Sequence, residues 1–209
     1  MTKTAEMVPA APAYEDILAT QLSQRRVSLS FALADLQQHP AALSHAATLL
    51  VSTLRSGHAV LAAGNGGSAA EAQHFAAELV GRFRREREPY PVLALSTDSS
   101  VLTAVANDYG YEQVFARQIR AHGRPGDLLI AFSTSGESEN LVRAAETARQ
   151  RGMSVIGVTG KRASRLERAA DVTVRAAVTD TAVVQELHMA ITHLLCDLAE
   201  QELAREASG

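Results

Sequence analysis

Five short apolar runs, separated by stretches in which apolar residues recur at helical spacing, constrain the fold of this chain more than any other feature. The runs are HAVLAAG (58–64), PVLALS (91–96), GDLLIAFS (126–133), SVIGVTG (154–160) and DVTVRA (171–176). Strands that are apolar at nearly every position are typical of parallel sheets whose two faces are both covered by helices. The alternation therefore predicts an α/β fold with a five-stranded parallel sheet and helices on both faces.

Helical spacing predicts the elements between and around these strands. The predicted helices cover residues 14–36, 40–54, 68–84, 99–106, 111–122, 138–151 and 181–205. Residues 1–13, rich in Ala and Pro, are predicted to form a flexible tail, and residues 14–209 a single domain with a helical N-terminal extension. We expect the first two helices to pack on each other or on another subunit.

Charge and composition exclude several classes of function. The formal net charge is −3 and no basic block is present, so nothing predicts nucleic-acid binding. No segment approaches the roughly 20 apolar residues that a membrane-spanning helix needs, and the N-terminus lacks the apolar core of a signal peptide. The single cysteine, Cys196, excludes an intramolecular disulfide. We therefore expect a cytoplasmic protein that binds neither nucleic acid nor membrane.

Two of the predicted strands end in similar loops, GNGGSA (64–69) and STSGES (133–138). Loops beyond the carboxyl ends of parallel strands bind ligands, and glycine lets backbone N–H groups approach an anion. The second loop offers hydroxyl groups and no positive charge, which favours a sugar phosphate held by neutral donors over a nucleotide held by a P-loop lysine. The alternative is that each loop is only a tight turn between a strand and a helix.

Four side chains could form a mixed nitrogen and oxygen site for a metal ion. His74 and Glu78 are one helical turn apart and share a face of the helix that follows the first loop. Gln185 and His193 are eight residues apart, so both can reach one wide face of the last helix. These residue types together suit zinc, although their spacing does not show that the two helices meet.

Helix positions of this kind also have an ordinary interpretation. A lone histidine on a helix is usually a surface residue or a hydrogen-bonded one. We expect Glu71 to be a solvated carboxylate and His188 to have a structural role.

The two loops and their flanking strands resemble the SIS (sugar isomerase) domain, a flavodoxin-like parallel α/β fold that binds phosphosugars. Within it, AQHFAAELVGRF (72–83), LTAVANDYGYE (102–112) and VVQELHMAITH (183–193) resemble the sedoheptulose 7-phosphate isomerases, or phosphoheptose isomerases. The resemblance covers about residues 14–205. It implies an aldose–ketose isomerase that converts D-sedoheptulose 7-phosphate to D-glycero-D-manno-heptose 7-phosphate, the first step of nucleotide-activated heptose biosynthesis.

The resemblance also implies the residues of the site. It implies catalysis by Glu78 and His193, and one zinc ion per subunit on His74, Glu78, Gln185 and His193. The residues implied to bind the phosphosugar are Asn65, Gly66, Gly67, Ser68, Glu78, Asn107, Asp108, Ser133, Thr134, Ser135, Ser138 and Gln185. The loop at 133–138 is expected to hold the phosphate, and Asn65 and Asp108 the sugar hydroxyls. The implied assembly is a homotetramer with active sites between subunits.

The chemistry explains why these residue types are needed, because isomerisation moves a proton between carbons 1 and 2 through an enediol. Glu78 is expected to accept the carbon-bound proton, and His193 to open the sugar ring and shuttle protons between the oxygens. A bound metal polarises the carbonyl and stabilises the enediolate. Since a carboxylate held tightly by zinc is a weaker base, Glu78 is expected to bind loosely or to exchange roles during turnover.

Two other functions are alternatives. A relative of the isomerases keeps the fold but binds the bacterial replication initiator DnaA, and its counterparts of Glu78 and His193 are typically replaced, whereas both stand here. A sugar-phosphate-sensing regulator usually carries a DNA-binding domain, which this chain does not predict.

Three further features have open roles. Arg82 either pairs with phosphate or forms an exposed ion pair, and Asp180 either caps the last helix or contacts a sugar hydroxyl. The stretch TGKRASRLERAAD (159–171) lacks a Gly-Gly found in many relatives, which leaves the shape of that loop open.

Overall fold

Five strands and eight α-helices make up the described part of the chain, residues 14–207 of a computed structural model. The predicted tail at 1–13 lies outside the described residues. The strands are β1 (Val60–Gly64), β2 (Val92–Ala94), β3 (Leu128–Ser133), β4 (Ser154–Thr159) and β5 (Val172–Arg175). The helices are α1 (Tyr14–Gln38), α2 (Ala41–Arg55), α3 (Gly67–Val80), α4 (Ser99–Tyr109), α5 (Val114–His122), α6 (Glu139–Gln150), α7 (Arg165–Ala169) and α8 (Thr181–Ala207), with a 3-10 turn at Tyr111–Gln113.

The strands form one parallel sheet in the order β2-β1-β3-β4-β5. The predicted five-stranded parallel sheet is confirmed, and the order is that of flavodoxin-like folds. The chain leaves β1 toward one edge and returns to β3 on the other side of β1. Ligands in such sheets bind beyond the carboxyl ends of the strands at this reversal. The two glycine and hydroxyl loops, which follow β1 and β3, both lie there.

Alternate residues of the central strands enter two separate cores. In β3, Leu128, Ile130 and Phe132 face a core built with α1, α2, α3 and α8. Leu129 and Ala131 face the opposite core, built with α4, α5, α6 and α7. The continuous apolar runs therefore reflect burial on both faces of the sheet, as predicted.

Helix α3 is shorter than predicted, since it ends at Val80 and not near Arg84. The backbone N–H groups of Phe83, Arg84 and Arg85 donate to the carboxylate of Glu200 in α8, at 2.8, 2.8 and 3.0 Å. These donors are therefore unavailable to helix carbonyls, and the chain turns away from the helix axis after Gly81. Glu200 is over 100 residues away, so helical spacing could not reveal this termination.

The sequence patterns also missed helix α7, which has only five residues. Ser164 caps it by accepting from the N–H of Glu167, and the Glu167 side chain accepts from the N–H of Ser164. This capping box fixes the helix start, but five residues are too few to show a helical repeat.

Helix α1 leaves most of its apolar side chains in solvent. Ala32 and Leu36 are its buried residues, whereas its exposed large apolar residues are Tyr14, Ile17, Leu18, Leu22, Val27, Phe31 and Leu33. Within residues 14–207, an ion pair between Arg25 of α1 and Glu186 of α8 connects α1 to the rest of the fold. Among the described helices, none combines the length and apolar content that crossing a membrane requires.

Candidate active site

Helices α3 and α8 pack side by side and bring three of the predicted metal ligands together. The Nε2 atom of His74 lies 3.0 Å from Nε2 of His193 and 3.3 Å from Oε1 of Glu78. One ligand atom from each residue falls within 4.8 Å of the other two, and all three side chains are half-buried. The spacing of the residues had left open whether the two helices meet, and they do.

The geometry of this cluster suits a small divalent cation. In a tetrahedral site with bonds of about 2.0–2.1 Å, neighbouring ligand atoms lie roughly 3.3 Å apart. The separations from His74 Nε2, 3.0 and 3.3 Å, are close to that value. Two imidazole nitrogens and one carboxylate oxygen could therefore hold a metal ion here.

Aromatic packing orients His193 within the cluster. Its ring is stacked on Phe83, with ring centres 5.4 Å apart and an angle of 23° between the planes. Its contact with His74 is edge-on, with ring centres 5.2 Å apart. Phe83 belongs to the segment that Glu200 holds, so Glu200 supports His193 through Phe83.

Burial and neighbouring charges shift the pKa values of two groups near the cluster, Cys196 and Glu200. Burial raises the pKa of the Cys196 thiol far above its ordinary value, and the carboxylates of Glu78 and Glu200 raise it further, so the thiol stays protonated. Burial also raises the pKa of Glu200, but three backbone N–H donors and the Arg87 guanidinium outweigh it, and the net shift is downward. Glu200 is therefore a buried anion, whereas Cys196 acts as an apolar core residue.

Gln185 lies at the opposite end of the helix pair, against the start of α3. A Cβ atom at Gly67 would lie 2.8 Å from Cδ and 2.9 Å from Oε1 of its carboxamide, so any side chain at that position would have to displace the carboxamide. No hydrogen bond between residues 14 and 207 joins Gln185 to His74, Glu78 or His193.

The loop after β1 is tied directly to the loop after β3. The carboxamides of Asn65 and Asn140 form a reciprocal pair at 2.9 and 2.8 Å, and the Tyr111 hydroxyl donates to Asn65 Oδ1 at 3.0 Å. Gly66 has a φ of 55°, a left-handed conformation that glycine adopts without strain, and Ser68 is buried. The sequence analysis did not single out Asn140 or Tyr111, although Asn140 lies only two residues after the STSGES loop.

Local hydrogen bonds stabilise the conformation of the loop after β3. The Ser133 hydroxyl accepts from the N–H of Gly136 at 3.0 Å, and the Ser135 hydroxyl accepts from the N–H of Glu137 at 3.1 Å. Ser138 stands at the start of α6 without capping it through its side chain. Its hydroxyl is thus not used to cap the helix.

The loop after β4 places two cationic side chains, Lys161 and Arg162, beside the loop after β3. Thr134 and Ser135 line a cavity of about 340 Å³ whose walls include Lys161, Arg162 and Thr181. The second loop itself carries no positive charge, whereas the cavity beside it is lined by two cationic side chains and by one carboxylate, that of Glu137. No ion pair of Lys161 or Arg162 is formed within residues 14–207.

Asn107 and Asp108 lie exposed in the last turn of α4, where the Asn107 carboxamide donates to Asp108 at 2.8 Å. No hydrogen bond links either of them to another predicted site residue in the described part of the chain. Exposed Arg82 lies 3.8 Å from Glu86, which favours the ion-pair interpretation. Asp180 accepts from the N–H of Val183 at 3.0 Å, which is a capping contact at the start of α8 and one of the two roles that the sequence left open for it.

Glu71 does not have the solvated position predicted for it. Its side chain is 5% exposed, and Oε2 lies 3.4 Å from Nδ1 of His188, which is fully buried. The prediction was wrong because Glu71 lies on the face of α3 that packs against α8, and single-helix spacing does not show which face that is. Burial of His188 agrees with the structural role predicted for it.

Comparison with known proteins identifies the family. The family model for the SIS domain matches residues 29–160. A phosphoheptose isomerase of Rhodospirillum rubrum is 51% identical over 162 residues, which are 78% of this chain and 86% of that protein. A phosphoheptose isomerase structure from Francisella tularensis superposes with a TM-score of 0.84 at 36% identity, over 90% of this chain and 99% of that one. One from Neisseria gonorrhoeae gives 0.82 at 36% identity, over 90% and 100%. The chain belongs to the phosphoheptose isomerase family of SIS-domain proteins.

Proposed function

We propose that this protein is an aldose–ketose isomerase that converts D-sedoheptulose 7-phosphate to D-glycero-D-manno-heptose 7-phosphate. The observation that carries the proposal is the meeting of His74 and Glu78, on the helix that begins at the first phosphosugar loop, with His193 of α8. Family membership supplies the substrate, and this cluster supplies the groups that the reaction needs. The product would be the first intermediate of nucleotide-activated heptose biosynthesis, in the cytoplasm.

The phosphate is proposed to bind at residues 133–138, where hydroxyl groups and the N-terminus of α6 converge. The positive end of that helix and the free Ser138 hydroxyl favour an anion. Lys161 and Arg162 add a positive potential beside the hydroxyl groups of Thr134 and Ser135. The loop after β1, with Gly66, Gly67 and Ser68, and the Asn107–Asp108 pair are proposed to contact the sugar.

Asn65 is proposed to act differently from the sequence expectation. Both polar ends of its carboxamide are used by Asn140 and Tyr111. We therefore propose that it holds the two loops at a fixed separation and reaches a sugar hydroxyl by donating the remaining N–H of Nδ2, because both lone pairs of Oδ1 are already used.

Glu78 is proposed to accept the proton from the carbon of the substrate and return it to the neighbouring carbon. Its carboxylate is half-buried, and Oε1 lies 3.3 Å from Nε2 of His74, so the group is positioned while part of it stays accessible. His193 is proposed to open the ring and move protons between the substrate oxygens. Stacking on Phe83 and the edge contact with His74 fix the plane of its ring for that task.

A metal ion is proposed as cofactor, with zinc, one per subunit, as the ion that best suits the donor set. His74, Glu78 and His193 would hold it, and Gln185 is proposed as the fourth ligand on the family resemblance alone. When bound, such an ion polarises the carbonyl and stabilises the enediolate charge. His74 has no other proposed task, so it is assigned to metal binding and not to proton transfer.

The assembly is proposed to be a homotetramer with active sites between subunits. Support comes from α1, a helix of 25 residues whose large apolar side chains mostly lie in solvent in the single chain. So many exposed large apolar side chains on one helix are typical of an interface. Leu18 and Leu22 also line a cavity of about 600 Å³ shared with Asp180 at the start of α8, so a subunit seated on α1 would approach the site.

The direct test is an assay of the purified protein with sedoheptulose 7-phosphate before and after chelation, followed by readdition of zinc. We expect isomerisation that chelation removes and zinc restores. A shortened ketose phosphate that lacks carbons of the heptose serves as the control substrate and should turn over more slowly. Phosphosugar binding without turnover under all conditions would favour the alternative, a non-catalytic partner of the replication initiator DnaA.

A further inference from the structure

A buried pair of ionisable side chains joins α3 to α8 outside the proposed reaction. Oε2 of Glu71 lies 3.4 Å from Nδ1 of His188, and both side chains are almost completely removed from solvent. The imidazole also packs against the ring of Phe132 at the end of β3, with ring centres 6.2 Å apart and an angle of 51° between the planes. Neither the proton transfers nor the phosphosugar contacts use this pair.

Its position along the helices distinguishes it from an ordinary core contact. Contacts between the two helices follow one another in the same order along α3 and along α8. They are Gly67 with Gln185, Glu71 with His188, and His74 with His193. Helices α3 and α8 therefore run parallel. The pair lies between the contact at the first sugar loop and the proposed metal cluster.

On α3 the pair shares its face with the cluster. Glu71, His74 and Glu78 are three and four residues apart, which places them on one stripe of α3. On α8, His188 and His193 are five residues apart, about 140° around the helix, and both contact α3, from either side of the line along which the two helices meet. A shift of one helix along the other would therefore separate the pair and the cluster together.

The energetics of the Glu71–His188 pair indicate that it fixes the axial alignment of α3 against α8 and adds little to the stability of the fold. Within the described residues, Glu71 Oε2 and both ring nitrogens of His188 have no hydrogen-bond partner. A buried pair in this condition gains little over two well-packed apolar side chains. A slip of one turn, about 5.4 Å, would instead put the Glu71 carboxylate opposite Val184 or Thr192, with no imidazole to face it. Opposite Val184 the carboxylate would have no partner, and opposite Thr192 it would have only a neutral hydroxyl, so the observed alignment is the one in which an imidazole faces it.

We propose that Glu71 and His188 are a positioning pair, which fixes the axial alignment of α3 against α8 so that His74, Glu78 and His193 meet. The inference rests on the proposed function in that the cluster is taken to bind a metal. It predicts that the pair controls metal binding through the alignment of the two helices, without touching the ion, on a scale like that of other residues that orient metal ligands.

The test uses the full chain and compares Glu71→Leu, the double variant Glu71→Leu/His188→Leu, and the near-isosteric Glu71→Gln. Zinc affinity of the metal-stripped proteins is measured by calorimetry, and the cobalt form is examined by its visible absorption spectrum. Glu71→Leu should weaken zinc binding about 10- to 100-fold. The double variant should recover the thermal stability of the wild type but not its zinc affinity or cobalt spectrum. Glu71→Gln, which keeps the length and one acceptor, should bind zinc within a few-fold of the wild type.

The matched control is Leu141→Ala, which removes a fully buried side chain from the core on the opposite face of the sheet. It should lower thermal stability and leave the zinc affinity and the cobalt spectrum unchanged. The inference is overturned if the double variant binds zinc as the wild type does, or if Leu141→Ala weakens zinc binding equally. If the wild type itself binds no metal, the proposed metal site fails, and a thermal stability restored in the double variant then shows only a structural pair.

Discussion

Replacement of Glu200 by alanine should be among the most damaging single changes outside the cluster. Its carboxylate is fully buried and accepts the backbone N–H groups of Phe83, Arg84 and Arg85. Oε1 also lies 3.2 Å from Nε of Arg87, whose side chain is 6% exposed. The substitution leaves a guanidinium and three N–H donors without their common anion.

The size of the effect follows from these contacts. Removing one partner of a buried ion pair costs about 3–5 kcal/mol, and each buried donor left unpaired adds to the cost unless water reaches it. We expect Glu200→Ala to lower the free energy of unfolding by about 3–5 kcal/mol. The control is Asp197→Asn in the same helix, since Asp197 is 3.6 Å from Arg84, whose side chain is two-thirds exposed. An exposed pair of that kind contributes at most about 1 kcal/mol.

Urea unfolding at a single protein concentration measures both variants, because association makes stability depend on concentration. The pKa of Glu200 is lower in the folded protein than its ordinary value of 4.5. Its contribution is therefore complete above about pH 4.5 and is lost as the pH falls through the folded-state pKa. The wild type and Glu200→Ala should thus converge in acid. Turnover should also fall, because Phe83 would no longer hold the ring of His193. A loss below 1 kcal/mol, or one equal to that of Asp197→Asn, would refute the account of Glu200.

The other predictions concern binding and assembly. Gly67→Ala should lower kcat/KM about tenfold or more with little loss of thermal stability, because the new methyl group displaces the carboxamide of Gln185; unchanged kinetics would mean that this contact is not needed. The double variant Lys161→Ala/Arg162→Ala should raise KM about tenfold at low salt, with kcat within twofold, and less at high salt; a salt-independent effect would contradict the electrostatic role. Leu22→Glu, on the exposed face of α1, should reduce the mass measured by light scattering at micromolar concentration, and a wild-type protein of monomeric mass would refute the proposed tetramer.

The sheet could be predicted because its signal is local. Each strand is a run of apolar residues buried on both faces, as in 128–133, and parallel pairing follows from the helices between the strands. The ends of elements were less predictable where a distant residue decides them. Helix α3 ends early because Glu200 takes three of its next backbone donors, and Gly81, directly after Val80, is the one local signal of a helix end.

The features of the site likewise divide into those that local spacing could predict and those that depend on distant residues. His74 and Glu78 could be paired from their spacing, since one helical turn relates them, whereas their meeting with His193 depends on how two distant helices pack. Family resemblance supplied that link in advance. Neither spacing nor resemblance drew attention to Asn140, which ties the two loops together, or to the burial of Glu71. Both depend on partners 75 and 117 residues away.

The central claim is that Glu78 moves a proton between two carbons of a heptose phosphate, and one measurement tests it directly. Zinc-loaded wild type and Glu78→Gln are incubated with sedoheptulose 7-phosphate in D2O, and the product is analysed by proton NMR and mass spectrometry. The account predicts an aldose heptose 7-phosphate from the wild type that carries solvent deuterium at carbon 2. It predicts a rate about 10²- to 10⁴-fold lower for Glu78→Gln, because the amide cannot accept the proton. A product without deuterium after many turnovers, or a Glu78→Gln variant as active as the wild type, would contradict it.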